Sequence, residues 1–376
     1  MIIITTKKGS SRKSKVTVDA RWGGNSRGIS NYDIMTDAGM FVMTNWNLLK
    51  NQSDGATASK DLIGRIGTNP YMCADDAIVS PDGVLTSAAL KWNDDWTKEA
   101  INNGFRQEYN VTVSGGNDKS HHFLSLGYLG DDGIIKNSDF NRLSMRASGD
   151  YNVTDWLKIN GNVAYARSEQ NQLQISSLDN YSNTFAFIQN LGPIYPVYAY
   201  YADGKPVYDA DGKRVFDFGD GQYSIRPTYS NQNVVASDDK NQNRYLNDNV
   251  STRFGVTLGE WKGFKLQANM GYDVTNLARD QFMTPDFGDA QQVDGRAYKT
   301  RARNESYTVN ELLTYANTFG GKHNIDVLAG HENYKMTYNY LYNAKHQFFD
   351  SSIPEFDNAI IMDDMSSRTD RYTSES

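Results

Sequence analysis

The sequence predicts an all-β fold: an antiparallel transmembrane β-barrel, of which this chain supplies about nine strands. Alternation is the first observation behind this. From Leu143 to Tyr151, Leu143, Met145, Ala147, Gly149 and Tyr151 fall on one face and Ser144, Arg146, Ser148 and Asp150 on the other, as a period of two requires. The pattern returns around Leu157–Tyr165, Val250–Leu258 and Phe264–Val274. Length is the second observation, since these runs approach the roughly 9–11 residues with which a tilted strand crosses hydrocarbon, against roughly 5–6 in an ordinary strand. The third is an asymmetry of connections. Tight turns at Gly115–Lys119, Thr154–Trp156, Glu260–Gly263 and Gly320–Lys322 alternate with long polar stretches, as short periplasmic turns alternate with long extracellular loops in membrane barrels.

Composition agrees. Of 376 residues, 39% are hydrophobic and mean hydropathy is −0.64, below the roughly 45–50% apolar content from which a thick two-sided core is built. Aromatic residues nevertheless reach 12%, with Tyr 24, Phe 16 and Trp 6, which excludes disorder because something must bury those rings. Gly 31 against Pro 8 suits many turns and strands whose interior positions all donate a backbone hydrogen bond. A net charge of −7 sets aside nucleic-acid partners, which need clustered Lys and Arg. The single cysteine, Cys73, excludes an intrachain disulfide and a cysteine-based zinc site. No stretch reaches the roughly 20 apolar residues of a spanning helix, and the opening lacks the basic region and long apolar core of a signal peptide.

Taken in order, residues 1–10 carry the apolar run Ile2-Ile3-Ile4, and strands begin near Lys15. Ile34–Lys50, with Met40, Phe41, Met43, Trp46, Leu48 and Leu49, has helical spacing and reads as a helix in the first long loop. Strands follow from about Glu108 to about Tyr338. Tyr128, Tyr151, Tyr165, Tyr272 and Tyr315 stand on their apolar faces, where a membrane barrel carries aromatic girdles. About nine strands fall short of the roughly 16–22 of a wide barrel, and an open arc leaves unpaired edges in lipid; a truncated barrel is the expectation.

The main loop, residues 169–244, is expected outside the cell. It carries an internal echo, Asp203-Gly204-Lys205-Pro206-Val207-Tyr208-Asp209 followed by Asp211-Gly212-Lys213-Arg214-Val215-Phe216-Asp217. Two small hairpins are the preferred reading, because Asp-Gly is a turn signal; a calcium loop is the alternative, opposed by Lys213 and Arg214 where oxygen ligands belong. Tyr181, Tyr195, Tyr198, Tyr200 and Tyr201 crowd the same loop with Phe185 and Phe187. Aromatic faces are a platform for sugars or peptide side chains, so these five tyrosines are the candidate ligand contacts, set against simple packing of the loop. His121, His122, His323, His331 and His346 form no metal-ligand spacing, and no nucleophile elbow or phosphate loop is present. No cofactor, metal or catalytic residue is assigned.

Several stretches in order resemble the SusC/RagA family of TonB-dependent outer-membrane transporters. They are Ile2-Ile3-Ile4-Thr5-Thr6-Lys7-Lys8-Gly9, Asp95-Trp96, Val111-Thr112-Val113-Ser114-Gly115-Gly116-Asn117-Asp118-Lys119-Ser120, Ser125-Leu126-Gly127-Tyr128-Leu129, Asp132-Gly133-Ile134-Ile135-Lys136, Phe140-Asn141-Arg142, Trp156-Leu157-Lys158, Tyr315-Ala316-Asn317-Thr318-Phe319-Gly320 and His323-Asn324-Ile325-Asp326-Val327-Leu328-Ala329-Gly330. The resemblance implies that residues 1–10 end a plug domain and that 11–376 are the N-terminal part of a barrel of about 22 strands closed around that plug. It also implies import of an oligosaccharide or peptide ligand across the outer membrane, a surface lipoprotein of the SusD type as partner, and energy from the TonB complex through a segment not contained here. Two rivals stay open: a secreted β-rich glycan-binding protein whose apolar faces pack on a second sheet, and an outer-membrane barrel enzyme.

Overall fold

The computed structural model describes residues 13–30, 33–173 and 183–376. The expected plug strand at 1–10 and Tyr181 lie outside them. One antiparallel sheet holds ten strands among the described residues, each paired with its neighbours in sequence. They are β1 (Lys15–Asn25), β2 (Gly104–Gly116), β3 (Ser120–Asp132), β4 (Asp139–Asn152), β5 (Leu157–Asn171), β6 (Gln242–Trp261), β7 (Phe264–Met283), β8 (Arg296–Phe319), β9 (His323–Phe348) and β10 (Ala359–Glu375). The all-β antiparallel reading stands, and the four tight turns fall where alternation places them, between β2 and β3, β4 and β5, β6 and β7, and β8 and β9. The sheet does not close: β1 and β10 each have one partner.

The tenth strand exceeds the nine read from the sequence. Its residues do not alternate. Ile360, Ile361 and Met362 run together before Asp363 and Asp364, and the pairing register slips between Met362 and Asp364, so one extra residue breaks the period of two. The strands also outgrow a membrane, lengthening from 13 residues in β2 and β3 to 24 in β8 and 26 in β9.

Alternation is inverted relative to a water-soluble sheet. In β4 the apolar residues Leu143, Met145, Ala147 and Tyr151 are the exposed ones, while Ser144, Arg146, Ser148 and Asp150 are half-buried. Register carries the apolar face across the sheet: Val18 faces Val111, Val111 faces Leu126, Leu126 faces Met145 and Met145 faces Tyr165. Side chains on the inside of a curved sheet crowd one another, which makes the polar face the shielded, inner one.

Two tiers of rings bound the apolar face. Near the tight turns stand Tyr151, Trp156, Trp261, Phe264 and Tyr315. Further up, register aligns Tyr109 with Tyr128 and Tyr272 with Tyr307. Phe264 and Tyr272 lie eight residues apart on β7, about 26 Å along the strand at ~3.3 Å per residue, which at a tilt of about 40° spans about 20 Å of the roughly 25 Å apolar height of a barrel. Above the upper tier the outer face turns ionic, with Arg244–Glu169 at 2.6 Å, Arg301–Asp280 at 2.8 Å and Arg167–Asp248 at 3.7 Å. Toward β10 the band is interrupted by His331, which bridges Glu311 at 2.9 Å and Glu375 at 3.3 Å.

The main core is not in the sheet, which holds only a small cluster of Phe282, Ala297, Phe348 and Ala359, but at its loop end. The connections 26–103 and 172–241 meet there in a cap whose buried cluster includes Val42, Trp46, Leu62, Ile66, Trp96, Phe187, Ile194 and Val234. Its helices are α1 (Ala38–Lys50), α2 (Gly55–Ile66), α3 (Trp96–Ala100), α4 (Thr184–Asn190) and α5 (Val234–Lys240). Helix α1 starts four residues later than the apolar spacing, because the Asp37 carboxylate accepts the Met40 amide at 2.6 Å and fixes the N-cap there. Asp54 caps α2 in the same way, through Thr57 at 2.8 Å. Gly67 ends it at φ +74°, a left-handed position where a side chain would also meet the Ile225 carbonyl at 2.6 Å.

Candidate functional site

Two surfaces position polar chemistry: the inner wall and the cap. The wall is a lattice of amides and ion pairs. Arg253 donates two parallel hydrogen bonds to Asp273, at 2.9 and 2.8 Å, the bidentate geometry that gives a guanidinium–carboxylate pair both strength and direction. Asn269 donates to Asn310 at 2.9 Å, and His121 lies 2.7 Å from Asp150. Gly255 leaves room for this layer, since a Cβ there would sit 2.7 Å from the amides of both Asn160 and Asn269. Such a wall is polar and ordered.

The cap is tied together across its two connections. Trp96 donates its indole N–H to the Tyr195 carbonyl at 2.8 Å, and Tyr195 donates its hydroxyl to the Ile66 carbonyl at 3.0 Å. Asn233 reaches both the Val197 and Asp217 carbonyls, at 2.9 and 2.8 Å. Arg226 is buried among Trp96 and Phe187, and burial lowers its pKa to about 10, opposed by the nearby Asp217 carboxylate. Burial likewise raises the pKa of Asp217, opposed by its bond from Ser224 at 2.7 Å.

The echoed Asp-Gly segments form the two small hairpins. The Tyr201 amide bonds the Lys205 carbonyl and the Asp209 amide the Lys213 carbonyl, both at 2.9 Å, with Gly204 and Gly212 at positive φ in the tips.

The structure separates the candidate tyrosines. Tyr195 is 5% exposed in the cap core, and its pKa is raised by burial to about 12; it packs. Tyr198 is half-buried, stacked on Phe216 at 5.4 Å, covered by Arg214 at 4.5 Å and bonded to Glu99 at 2.8 Å. Burial, followed by that bond, raises its pKa. Tyr200 donates to Asp94 at 2.6 Å and leans on Trp92 at 5.6 Å, its pKa also raised by burial and then by Asp94. Tyr201 is 55% exposed.

Tyr200 and Tyr201 share a cavity of about 560 Å³ with Trp92 and Tyr223. Neither Trp92 nor Tyr223 was singled out by the sequence. Asp94 was missed as well, although it accepts from the Val197 amide at 2.9 Å, the Tyr198 amide at 3.2 Å and the Tyr200 hydroxyl. The tryptophan-rich run Trp92-Asn93-Asp94-Asp95-Trp96 was the available signal. Among the described residues no group of three or more His, Cys, Asp or Glu is placed to hold a metal ion.

No family model matches the chain. The TonB-dependent receptor P39 of Formosa agariphila is 23% identical over 366 residues, 95% of this chain and 30% of its own length. TonB-dependent receptor P3 of the same bacterium is 23% identical over 252 residues, 65% of this chain and 23% of its own length. TonB-dependent receptor SusC of Bacteroides thetaiotaomicron is 26% identical over 167 residues, 42% of this chain and 16% of its own length. The chain therefore spans less than a third of the length of these relatives. Among solved structures, the RagAB peptide transporter matches with a TM-score of 0.70 at 17% identity, covering 98% of this chain and 40% of the solved one. RagAB in its closed-closed state matches with a TM-score of 0.69 over the same shares. The chain is thus similar to TonB-dependent receptors along nearly its whole sequence, to SusC over 42% of it, and shares the RagAB fold along nearly its whole structure.

Proposed function

We propose that the protein takes part in outer-membrane import of a nutrient ligand, and that this chain forms part of the barrel wall together with the extracellular cap above it. The observation that carries the reading is the exposed apolar face between two tiers of aromatic rings, opposite a hydrogen-bonded polar face. Lipid suits the first and a water-filled lumen the second. The chain does no chemistry on its cargo, and none of its relatives' names denotes an enzyme. As the solved RagAB structures are of a peptide transporter, peptides stand beside oligosaccharides as candidate cargo. A SusD-type surface lipoprotein is the proposed partner and the TonB complex the proposed source of energy.

Deleting the gene in the source bacterium tests the reading. Loss of uptake of one labelled oligosaccharide or peptide pool, restored by complementation, is the expected outcome. Uptake of every pool at the parental rate would sink the import function.

A further inference from the structure

The outer face carries a groove of about 540 Å³ on the cap side of the upper ring tier. Register explains it. Two neighbouring outward rows cross β6–β10 there, one through Ala278 and Arg301 and the next through Asn276 and Arg303. The two β7 residues are short and their β8 neighbours long, so the sheet surface dips where the arginines reach over it. The space falls within the roughly 300–1,000 Å³ of small-molecule sites.

Both guanidiniums are half-exposed and fixed in direction. Arg301 donates to the Arg279 and Thr300 carbonyls, at 3.2 and 2.9 Å, and pairs with Asp280 at 2.8 Å. Arg303 donates from Nε and Nη2 to Glu305, at 3.0 and 2.8 Å. A guanidinium has five N–H donors in a rigid fork, so each keeps donors for a further acceptor. The two stand two residues apart on one strand, about 7 Å, a gap that one phosphate group spans. Beside them the Asn339 side-chain carbonyl accepts from the Thr369 hydroxyl at 2.9 Å, which leaves the Asn339 amide N–H groups to a ligand.

Charge and height narrow the choice of ligand. Around the groove Arg167, Lys299, Arg301, Arg303 and Arg371 face Asp248, Asp280 and Glu305, and the patch stays positive even with Glu355 of the β9–β10 connection held on Lys299. The chain as a whole carries −7. Arg303 and Arg301 precede Tyr307 by four and six residues on the cap side, about 10 and 15 Å of height at ~3.3 Å per residue and a tilt of about 40°. A phospholipid headgroup layer adds only roughly 5–8 Å to the hydrocarbon of one leaflet. A lipid that reaches both guanidiniums therefore carries its phosphate on a taller headgroup, and the amides and hydroxyl of the groove floor suit one built of sugar.

We infer that this groove binds the headgroup of a phosphorylated glycolipid of the outer leaflet, its phosphate between Arg301 and Arg303 and its sugar hydroxyls on Asn276, Asn339 and Thr369. The groove lies across the sheet from the polar inner wall, so this lipid belongs to the surroundings of the barrel and is not its cargo. The inference rests on the membrane reading of the apolar face.

The test uses the full chain in maltoside micelles, followed by native mass spectrometry. Diphosphorylated lipid A is titrated beside its dephosphorylated form and phosphatidylglycerol. The expected result is saturable binding of lipid A, about tenfold or more tighter than either of the others. The double variant Arg301→Gln/Arg303→Gln should weaken it about ten- to hundredfold, the range that charge-assisted bonds to phosphate are worth. Arg301→Lys/Arg303→Lys, which keeps the charges and loses the forks, should recover part of the affinity. Lys265→Gln, on the inner face of β7, should leave it within about twofold. Lipid A bound no better than its dephosphorylated form, phosphatidylglycerol bound equally well, or lipid A binding indifferent to the double glutamine variant overturns the inference; the first two comparisons need no variant. Flotation of the same chain with phosphatidylcholine vesicles separates the two readings. A chain that floats but does not distinguish the lipids keeps the membrane reading and loses the groove, and a chain that does not float loses both.

Discussion

At the residue scale the cap depends on a few carboxylates placed far from their partners in sequence. Asp94 collects two amides and a hydroxyl lying 103 to 106 residues downstream. Removing it leaves those donors competing for water in a half-buried place, so Asp94→Ala should weaken the cap by roughly 2 kcal/mol. Hydrogen exchange at the Val197 and Tyr198 amides would report this, and unchanged protection there would contradict the assignment. Asp238 behaves differently. Its pKa is raised to about 7 by burial, only partly offset by a bond from Thr184 at 3.4 Å. The folded chain therefore holds a proton that the unfolded chain has released, and stability falls as pH rises from about 4 to about 7 before levelling off. Proteolysis of the cap should be faster at pH 8 than at pH 5, and Asp238→Asn should erase the difference. The sequence reveals that tyrosines crowd residues 195–201, but not which are occupied, because Asp94, Glu99 and Trp92 arrive from the other connection. No local pattern signals a contact of that span.

Among elements, the strands were the most legible, since period-two alternation is visible without knowing the neighbours. β7 shows why. Met270 is 51% exposed on the outer face, aligned with Phe254 and Val309, while Gln267 on the same strand faces inward. Met270→Arg should therefore disfavour folding into lipid vesicles by roughly 2–4 kcal/mol, the cost of a cation near the bilayer midplane, whereas Gln267→Arg on the lumen side should be nearly neutral. Urea titration of the vesicle-inserted protein would compare them; equal penalties would mean that the outer face does not meet lipid. β10 escaped the sequence reading because its apolar residues are consecutive and its register slips at Asp363, which is held by Arg296 at 3.3 Å and His346 at 2.6 Å. The seven-residue helices α4 and α5 were illegible for another reason. Each starts on an asparagine cap, Asn183 or Asn233, and helices that short owe their stability to packing and not to propensity.

For the whole molecule, the two singly paired strands and the exposed apolar band set its behaviour in solution. Transferred to water without detergent or lipid, the chain should associate through both features. Sedimentation velocity should find large, polydisperse species in buffer and a single species in micelles, and a monodisperse monomer in plain buffer would contradict the membrane reading. The barrel class and its two sides were legible in the sequence because they repeat along it. The cap core, assembled from two segments separated by four strands, was not. The two-sidedness also governs how such a chain tolerates change in length. One residue inserted within β4 would turn every later side chain of that strand to the opposite face, bringing Ser144 and Asp150 into oil, whereas two residues would restore the order beyond the insertion. Asp363 is a natural insertion of this kind, absorbed by a bulge at the cost of a local kink. Relatives of this protein should therefore differ freely in the length of their loops and, inside the strands, by even numbers or by bulges that carry a charged residue of their own.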